Sequence, residues 1–218
     1  MYTIRDLFDL EHTAAKEYLL QFTYPWEALK GIKDLIIQLG EALGDDYEQR
    51  APQVWVHRTS VIAPTAFLGA PCIIGPQTEV RHCAFIRGSA LVGAGCVVGN
   101  SAELKNVILF DGVQTPHYNY VGDSILGHKA HMGAGSITSN VKGNQSLVTV
   151  RMGDEMIATG LKKMGAMLGD HAEIGCNSVL NPGTIVGRNA QVYPLSSVRG
   201  TVPAHSIWKR DGEIVAKR

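Results

Sequence analysis

The apolar positions of this chain fall on a six-residue phase. Ile62, Leu68, Ile74, Val80, Ile86, Val92, Val98 and Leu104 follow one another without a miss. Glycine stands directly after four of them, at Gly69, Gly75, Gly93 and Gly99. The phase returns at Leu168, Ile174, Leu180, Val186, Val192 and Val198, and a shorter stretch, Leu126-Gly127 and Met132-Gly133, lies between the blocks. Neither the 3.6-residue period of a helix nor the two-residue alternation of a hairpin sheet accommodates such a spacing. A short strand followed by a turn, wound repeatedly into a parallel β-solenoid, does, with one aliphatic side chain per face pointing inward. Glycine then marks corners and places where neighbouring backbones pack closely.

The first sixty residues follow another pattern. Ile4, Leu7, Phe8, Tyr18 and Leu19 predict one short helix. After Pro25, a favourable first helical residue, the helically spaced Trp26, Leu29, Ile32, Ile36, Leu39 and Leu43 predict a second, which Gly44-Asp45-Asp46 ends. The expectation is a helical cap and linker over residues 1–52 that shields the open end of the solenoid. The solenoid itself spans 53–204. A C-terminal hairpin extension over 205–218 is centred on Asp211-Gly212, between Ile207-Trp208-Lys209-Arg210 and Glu213-Ile214-Val215.

Composition narrows the function. Twenty Lys and Arg balance twenty Asp and Glu in 218 residues, for a formal net charge of +0. That balance argues against binding nucleic acid through bulk charge. No apolar run approaches the roughly 18 residues that span a bilayer, and the N-terminus lacks a signal-peptide layout, so the expectation is no membrane and a cytoplasmic location. Cys72, Cys83, Cys96 and Cys176 have no pair one coil apart and read as small buried or turn residues in a reducing compartment.

Function in a solenoid gathers where the regularity fails or where charge sits on a corner. Leu104 and Leu126 stand three hexapeptides plus four positions apart, which predicts a loop protruding over 111–120 and carrying His117. Arg87 and Lys105 take the usual glycine place and are separated by three hexapeptides, one coil. Two cations about 4.8 Å apart repel unless an anion joins them, and a phosphate suits an Arg fork beside a Lys point charge. Solvated turn residues are the alternative.

The six-residue phase resembles the hexapeptide repeat of left-handed parallel β-helix proteins, which implies a mainly β fold with three faces and three hexapeptides to a coil. More specifically, His117-Tyr118-Asn119-Tyr120-Val121-Gly122-Asp123-Ser124 and Met132-Gly133-Ala134-Gly135-Ser136 resemble the acetyltransferase domain of the bifunctional glucosamine-1-phosphate N-acetyltransferase/UDP-N-acetylglucosamine pyrophosphorylases. Thr159-Gly160-Leu161-Lys162-Lys163-Met164-Gly165-Ala166 and Leu168-Gly169-Asp170 are similar to the archaeal type. The resemblance covers roughly residues 24 to 210 and implies an acetyl-CoA-dependent acetyltransferase acting on an amino-sugar phosphate, on the way to UDP-N-acetylglucosamine.

By position, the resemblance makes His117 the catalytic base and Ala134 the backbone N–H donor to the thioester carbonyl. Arg87 and Lys105 hold the sugar phosphate, Tyr120, His131, Asn140 and Lys163 line the acceptor site, and Ala134, Cys176 and Arg210 contact the acetyl-CoA co-substrate. It implies no metal, no tightly bound cofactor, and a homotrimer whose sites are shared between subunits. The chain departs from the family at His131 (usually asparagine), Val141 (usually tyrosine) and Ser146 (usually lysine, a place that Lys162 or Lys163 can reach). The two dozen residues before Pro25 leave no room for a pyrophosphorylase, so the expectation is the acyltransferase half alone, with a separate nucleotidyltransferase as a candidate partner. Two rivals remain: a non-catalytic subunit that binds sugar nucleotides, and a γ-carbonic-anhydrase-like zinc enzyme, raised by His82, His128 and His131, with His82 and His117 where two of its ligands would lie and His128 and His131 readable as turn residues of the next coil. The position a few residues after His117, where such an enzyme has its third ligand, is Gly122.

Overall fold

A computed structural model describes residues 2–209 and 212–217. Its body is a left-handed parallel β-solenoid with three faces. The six-residue phase is its inward ladder. On the first face Val56, Ile74 and Val92 pair in register, on the second Ile62, Val80 and Val98, and on the third Leu68, Ile86 and Leu104. The later block continues the same three ladders through Leu168, Ile174 and Leu180. Nearly all of these aliphatics are fully buried. Each contributes about 1.5–3 kcal/mol of transfer free energy as an upper bound.

The glycines that follow have a packing role rather than a conformational one. A Cβ at Gly75 would sit 2.6 Å from the carbonyl carbon of Gly93 on the next coil, and at Gly69 2.6 Å from the Arg87 carbonyl oxygen. Successive backbones stack too closely at these corners for any side chain.

No loop protrudes over 111–120. Leu104 pairs with Val121, and Leu109 with both Val92 and Leu126, so these coils fall one residue short of three full hexapeptides. The stretch from Leu104 to Leu126 is two five-residue steps around two six-residue ones, shortened at its corners rather than extended. At both short corners one strand runs straight through, Glu103–Leu109 and Tyr120–Leu126. Asn106 (φ 55°) and Asp123 (φ 49°) make the turn there in the left-handed region that Asn and Asp tolerate. The true excursion is later. The chain leaves the solenoid after Ile137–Thr138 and rejoins it at Ala166–Leu168, forming between them an antiparallel hairpin, Thr149–Met152 with Glu155–Ala158.

The N-terminal region also differs from expectation. It is a series of short helices, Ile4–Leu7, Leu10–His12, Lys16–Leu19, Pro25–Gly31 and Ile32–Glu41, followed by a strand, Tyr47–Ala51. The helices lie against the flank of the solenoid rather than across its open end. Ile32–Glu41 packs on strands Cys72–Ile74, Ala90–Val92 and Glu103–Leu109 of the first face. The reason is on that face: its outward residues Trp55, Ile73, Leu91, Ile108, Ile125 and Met167 are apolar and buried, in register from rung to rung. The exposed edge is covered instead by Tyr47–Ala51, antiparallel to Val54–His57. At the other terminus Ser206–Trp208 pairs antiparallel with Ile214–Ala216.

Polar contacts pin the helical flank. Buried Asp170 accepts from Asp9 N–H at 2.7 Å and His128 N–H at 2.9 Å, and Asp170 N–H donates to the Leu7 carbonyl. His12 stacks on His128 with centroids 3.7 Å apart, and His171 meets His128 edge-on at 5.4 Å. Burial, followed by the neighbouring His12, holds the His128 imidazole below its ordinary value. Below about pH 6.5 the unfolded chain therefore binds a proton that the folded chain resists, and stability is lost as pH falls. The expected outcome is a lower Tm at about pH 5.5 than at 7.5, with a smaller drop in His128→Gln; an equal drop in both would remove His128 as the cause.

Candidate active site

His117 stands at the corner between the second and third faces. Its strand, Gln114–His117, pairs in parallel with Val97–Asn100, setting His117 beside Asn100. On the following coils Gly135 N–H donates to the His117 carbonyl at 2.9 Å, Asn177 N–H to the Ala134 carbonyl at 2.8 Å, and Leu195 N–H to the Cys176 carbonyl at 2.9 Å. His117, Ala134 and Cys176 therefore occupy one corner on successive rungs, about 4.8 Å apart. The His117 and Cys176 side chains are exposed, and among the described residues no acceptor partners the Ala134 N–H.

Asn119 holds this corner in shape, and the sequence reading passed over it. It is 2% exposed, its Oδ1 accepts from His117 N–H at 3.1 Å, and its Nδ2 donates to the carbonyls of Gly133 (2.9 Å) and Ser136 (3.1 Å). One buried amide thus ties the His117 rung to the Ala134 rung. Between His117 and Asn119, Tyr118 takes φ 52° and is 64% exposed. An amide two residues after a candidate base, across a left-handed turn, was the available signal.

The second group lies at the opposite edge of the third face. Arg87 and Lys105 are neighbours on successive rungs, as their spacing predicted, but each already has a carboxylate. Arg87 Nη1 donates to Glu103 Oε1 at 2.8 Å, and Lys105 Nζ to Asp123 Oδ1 at 2.9 Å. The two pairs differ in burial: Arg87 and Glu103 both keep ample solvent contact, whereas the Asp123 side chain is 5% exposed. Asp123 also accepts from Asn106 Nδ2 at 2.9 Å and Asn140 Nδ2 at 2.6 Å, and Asn140 Nδ2 reaches the Tyr120 hydroxyl at 3.2 Å. Burial, then the charge of Asp123, raises the Tyr120 phenol above its ordinary value and keeps it protonated. In the sequence, the separation of about one coil from Arg87 to Glu103 and from Lys105 to Asp123 carried this pairing unread.

Other expected site residues scatter. Lys163 is exposed on the segment that returns from the excursion, next to Met164, whose N–H donates to the Asn140 carbonyl at 3.0 Å. Val141 and Ser146 are exposed on the outgoing segment. His131 is on neither edge of the third face; it sits on the second face with Nδ1 2.8 Å from Glu173 Oε2. Arg210 lies outside the described residues. His82, hydrogen-bonded to Thr65, shares the His117 corner with Asn100 between them, so the two histidines are two rungs apart in one chain.

One chain thus carries two separate residue groups. From His117 to Gly122, which follows Lys105 in the rung register, the chain turns at Tyr118 (φ 52°) and then runs as a strand from Tyr120, across the third face. His117 and the Arg87–Lys105 pair sit at opposite edges of one face.

A family profile described as the GMPPB C-terminal domain matches residues 71–160. The bifunctional sugar-1-phosphate nucleotidylyltransferase/acetyltransferase of Sulfurisphaera tokodaii is 31% identical over 105 residues, 48% of this chain and 26% of that protein. The bifunctional protein GlmU of Methanocaldococcus jannaschii is 28% identical over 114 residues, 52% and 28%. The chain spans about a quarter of the length of these relatives. Among solved structures, a mutant of perosamine N-acetyltransferase from Caulobacter crescentus in complex with CoA and GDP-perosamine matches with a TM-score of 0.36 and 16% identity, over 74% of this chain and 55% of that one.

Proposed function

We propose that this protein transfers an acetyl group from acetyl-CoA to the amine of an amino-sugar phosphate. The observation that carries the reading is the corner row of His117, Ala134 and Cys176: an exposed imidazole, a backbone N–H one rung away with no acceptor among the described residues, and an exposed Cys176 one rung beyond it. The relatives in S. tokodaii and M. jannaschii are support of a second kind, since the name of the first joins sugar-1-phosphate chemistry to acetyl transfer.

The chemistry follows from the row. The acceptor amine attacks the thioester carbonyl carbon while His117 takes the amine proton as general base. The oxyanion that forms on the carbonyl oxygen is met by the Ala134 N–H, a fixed dipole that needs no reorganisation. The carbonyl re-forms, the C–S bond breaks, and the imidazolium returns its proton to the departing thiolate. The donor chain runs along the corner past Cys176. These steps call for no metal.

The acceptor phosphate is assigned to Arg87 and Lys105. Solvent screens the exposed Arg87–Glu103 pair, so a phosphate displaces Glu103 at little cost. Lys105, held by the buried Asp123, gives up less freedom and acts as a fixed point charge. Because His117 and the cation pair sit at opposite edges of one face, the acceptor bound at one chain's cation pair meets His117 of another copy, which is the reason to expect a trimer with shared sites.

Lys105→Ala is expected to raise the acceptor KM about tenfold, the loss of one charge-assisted contact, with the acetyl-CoA KM nearly unchanged. Equal effects on both would separate Lys105 from phosphate binding. The function as a whole is tested by thiol release from acetyl-CoA with a panel of amino-sugar 1-phosphates. Turnover with one of them is expected. Sugar-nucleotide binding without turnover on any acceptor would replace the enzyme with a binding subunit.

A further inference from the structure

The excursion over 139–165 does more than leave and rejoin the solenoid. Its hairpin lies across the corner between the third and first faces, and two corner glycines let it come close. Gly183 (φ 84°) has no Cβ to meet the Thr149 carbonyl oxygen, which would be 2.6 Å away, and Gly200 (φ 83°) sits under Arg151, whose Cβ would be 3.5 Å from one built there. Between hairpin and corner runs a groove with two adjoining cavities of about 420 and 440 Å³ that share Lys142, Pro182 and Arg199.

The charge in this groove is one-sided. Lys142, Arg151 and Arg199 line it against a single carboxylate, Asp154. Lys142 Nζ is anchored by the Leu147 carbonyl at 3.0 Å and the Thr149 hydroxyl at 3.2 Å, and Arg151 Nε by the Gly153 carbonyl at 3.1 Å. These neutral acceptors fix the cations without cancelling them. Arg199 continues the corner column that holds Arg87 and Lys105. Those two each hold a carboxylate, whereas among the described residues Arg199 has no ion-pair partner. Met156 and Pro182 give the 420 Å³ cavity an apolar wall beside the cations.

We infer that this groove is a second anion site, separate from the Arg87–Lys105 pair, which takes the diphosphate or bisphosphate end of a nucleotide, with the base against Met156 and Pro182. Two guanidiniums and an ammonium suit the spread charge and the several acceptor oxygens of such a group, which Arg binds as a fork. The inference does not require acetyl transfer, because it rests on the groove alone. Two ligands share the chemistry: the 3′-phosphoadenosine end of CoA and the diphosphate of a sugar nucleotide.

Calorimetric titration of the full chain with inorganic pyrophosphate, UDP and adenosine 3′,5′-bisphosphate tests it, in low and high salt. At least one probe is expected to bind saturably, about tenfold more weakly in Arg199→Ala and in high salt, with partial recovery in Arg199→Lys. Tighter binding of the bisphosphate assigns the groove to CoA, and tighter binding of UDP to a sugar nucleotide. Arg199 is exposed and holds no ion-pair partner among the described residues, so its loss leaves the fold intact, and an unchanged circular dichroism spectrum checks this. No saturable binding of any probe, or equal affinity in wild type and Arg199→Ala, would overturn the inference. If the groove binds while no acceptor turns over, the proposed activity fails and the groove stands.

Discussion

His117→Ala is expected to lower acetyl transfer by about two to four orders of magnitude, the usual worth of a general base, with acceptor binding nearly unchanged. The side chain is exposed and makes none of the contacts that shape its corner; the backbone does that through Asn119, whose Oδ1 takes the His117 N–H. Alanine therefore removes the imidazole and keeps the rung. A steady-state assay at saturating acetyl-CoA reads kcat, and calorimetry with the acceptor reads binding. Unchanged kcat would take the histidine out of the reaction. Asn119→Ala provides the contrast: it touches no substrate in this account, so its effect comes through misplaced His117 and Ala134 rungs and appears in stability as well as kcat.

The second large effect is expected at Asp123. Its carboxylate is nearly buried and holds Lys105, Asn106 and Asn140 at 2.9, 2.9 and 2.6 Å. Removing one partner of a buried pair strands the other, at about 3–5 kcal/mol; Lys105 keeps some solvent contact, 29% of its side chain, which puts Asp123→Ala near the lower end. Asp123→Asn keeps the volume and loses the charge, so it is expected to cost less. Denaturant unfolding measures both, and a midpoint unchanged in Asp123→Ala would contradict the network. Asn106 also donates to the Leu29 carbonyl at 3.2 Å, so the same loss loosens the helical flank where it meets Glu103–Leu109.

The inward ladder was legible because one residue type repeats at one spacing: an aliphatic that must be buried at every third of a coil. Lost from view was the outward column Ile73, Leu91, Ile108, Ile125 and Met167, equally regular but hidden among strands read for their inward residues alone. Those five side chains decide where the helices go, since an apolar outer face needs a cover, and they explain why the N-terminal region lies on the flank. The irregular gap between Leu104 and Leu126 admits two arithmetics, an insertion or two shortened corners. Only Asn106 and Asp123, residues that tolerate a left-handed turn, favoured the second.

The candidate site divides in the same way. The stack of Arg87 on Lys105 follows from counting coils, whereas His117 and Ala134, 17 residues apart, come together only through the shortened corner. The partners Glu103 and Asp123 do not, because an ion pair reaches diagonally between rungs and the burial of a carboxylate depends on what packs over it. His131 shows the limit of position alone: its place in the chain is close to Ala134, yet three residues are enough to carry it back onto the second face, against Glu173.

An acyl donor lying along the corner of His117, Ala134 and Cys176 can be read residue by residue through the cysteines. Cys72 and Cys96 are buried, their thiols pushed up to about 12 by burial, and stay unreactive. Cys83 and Cys176 are both exposed. Cys176 is one rung past Ala134 on the proposed donor lane, whereas Cys83 is beside His82, on the far side of His117. Alkylation followed by mass spectrometry, with and without saturating CoA, is expected to show Cys176 protected and Cys83 unchanged. Equal labelling of Cys176 in both conditions, under CoA concentrations that support binding, would contradict the account.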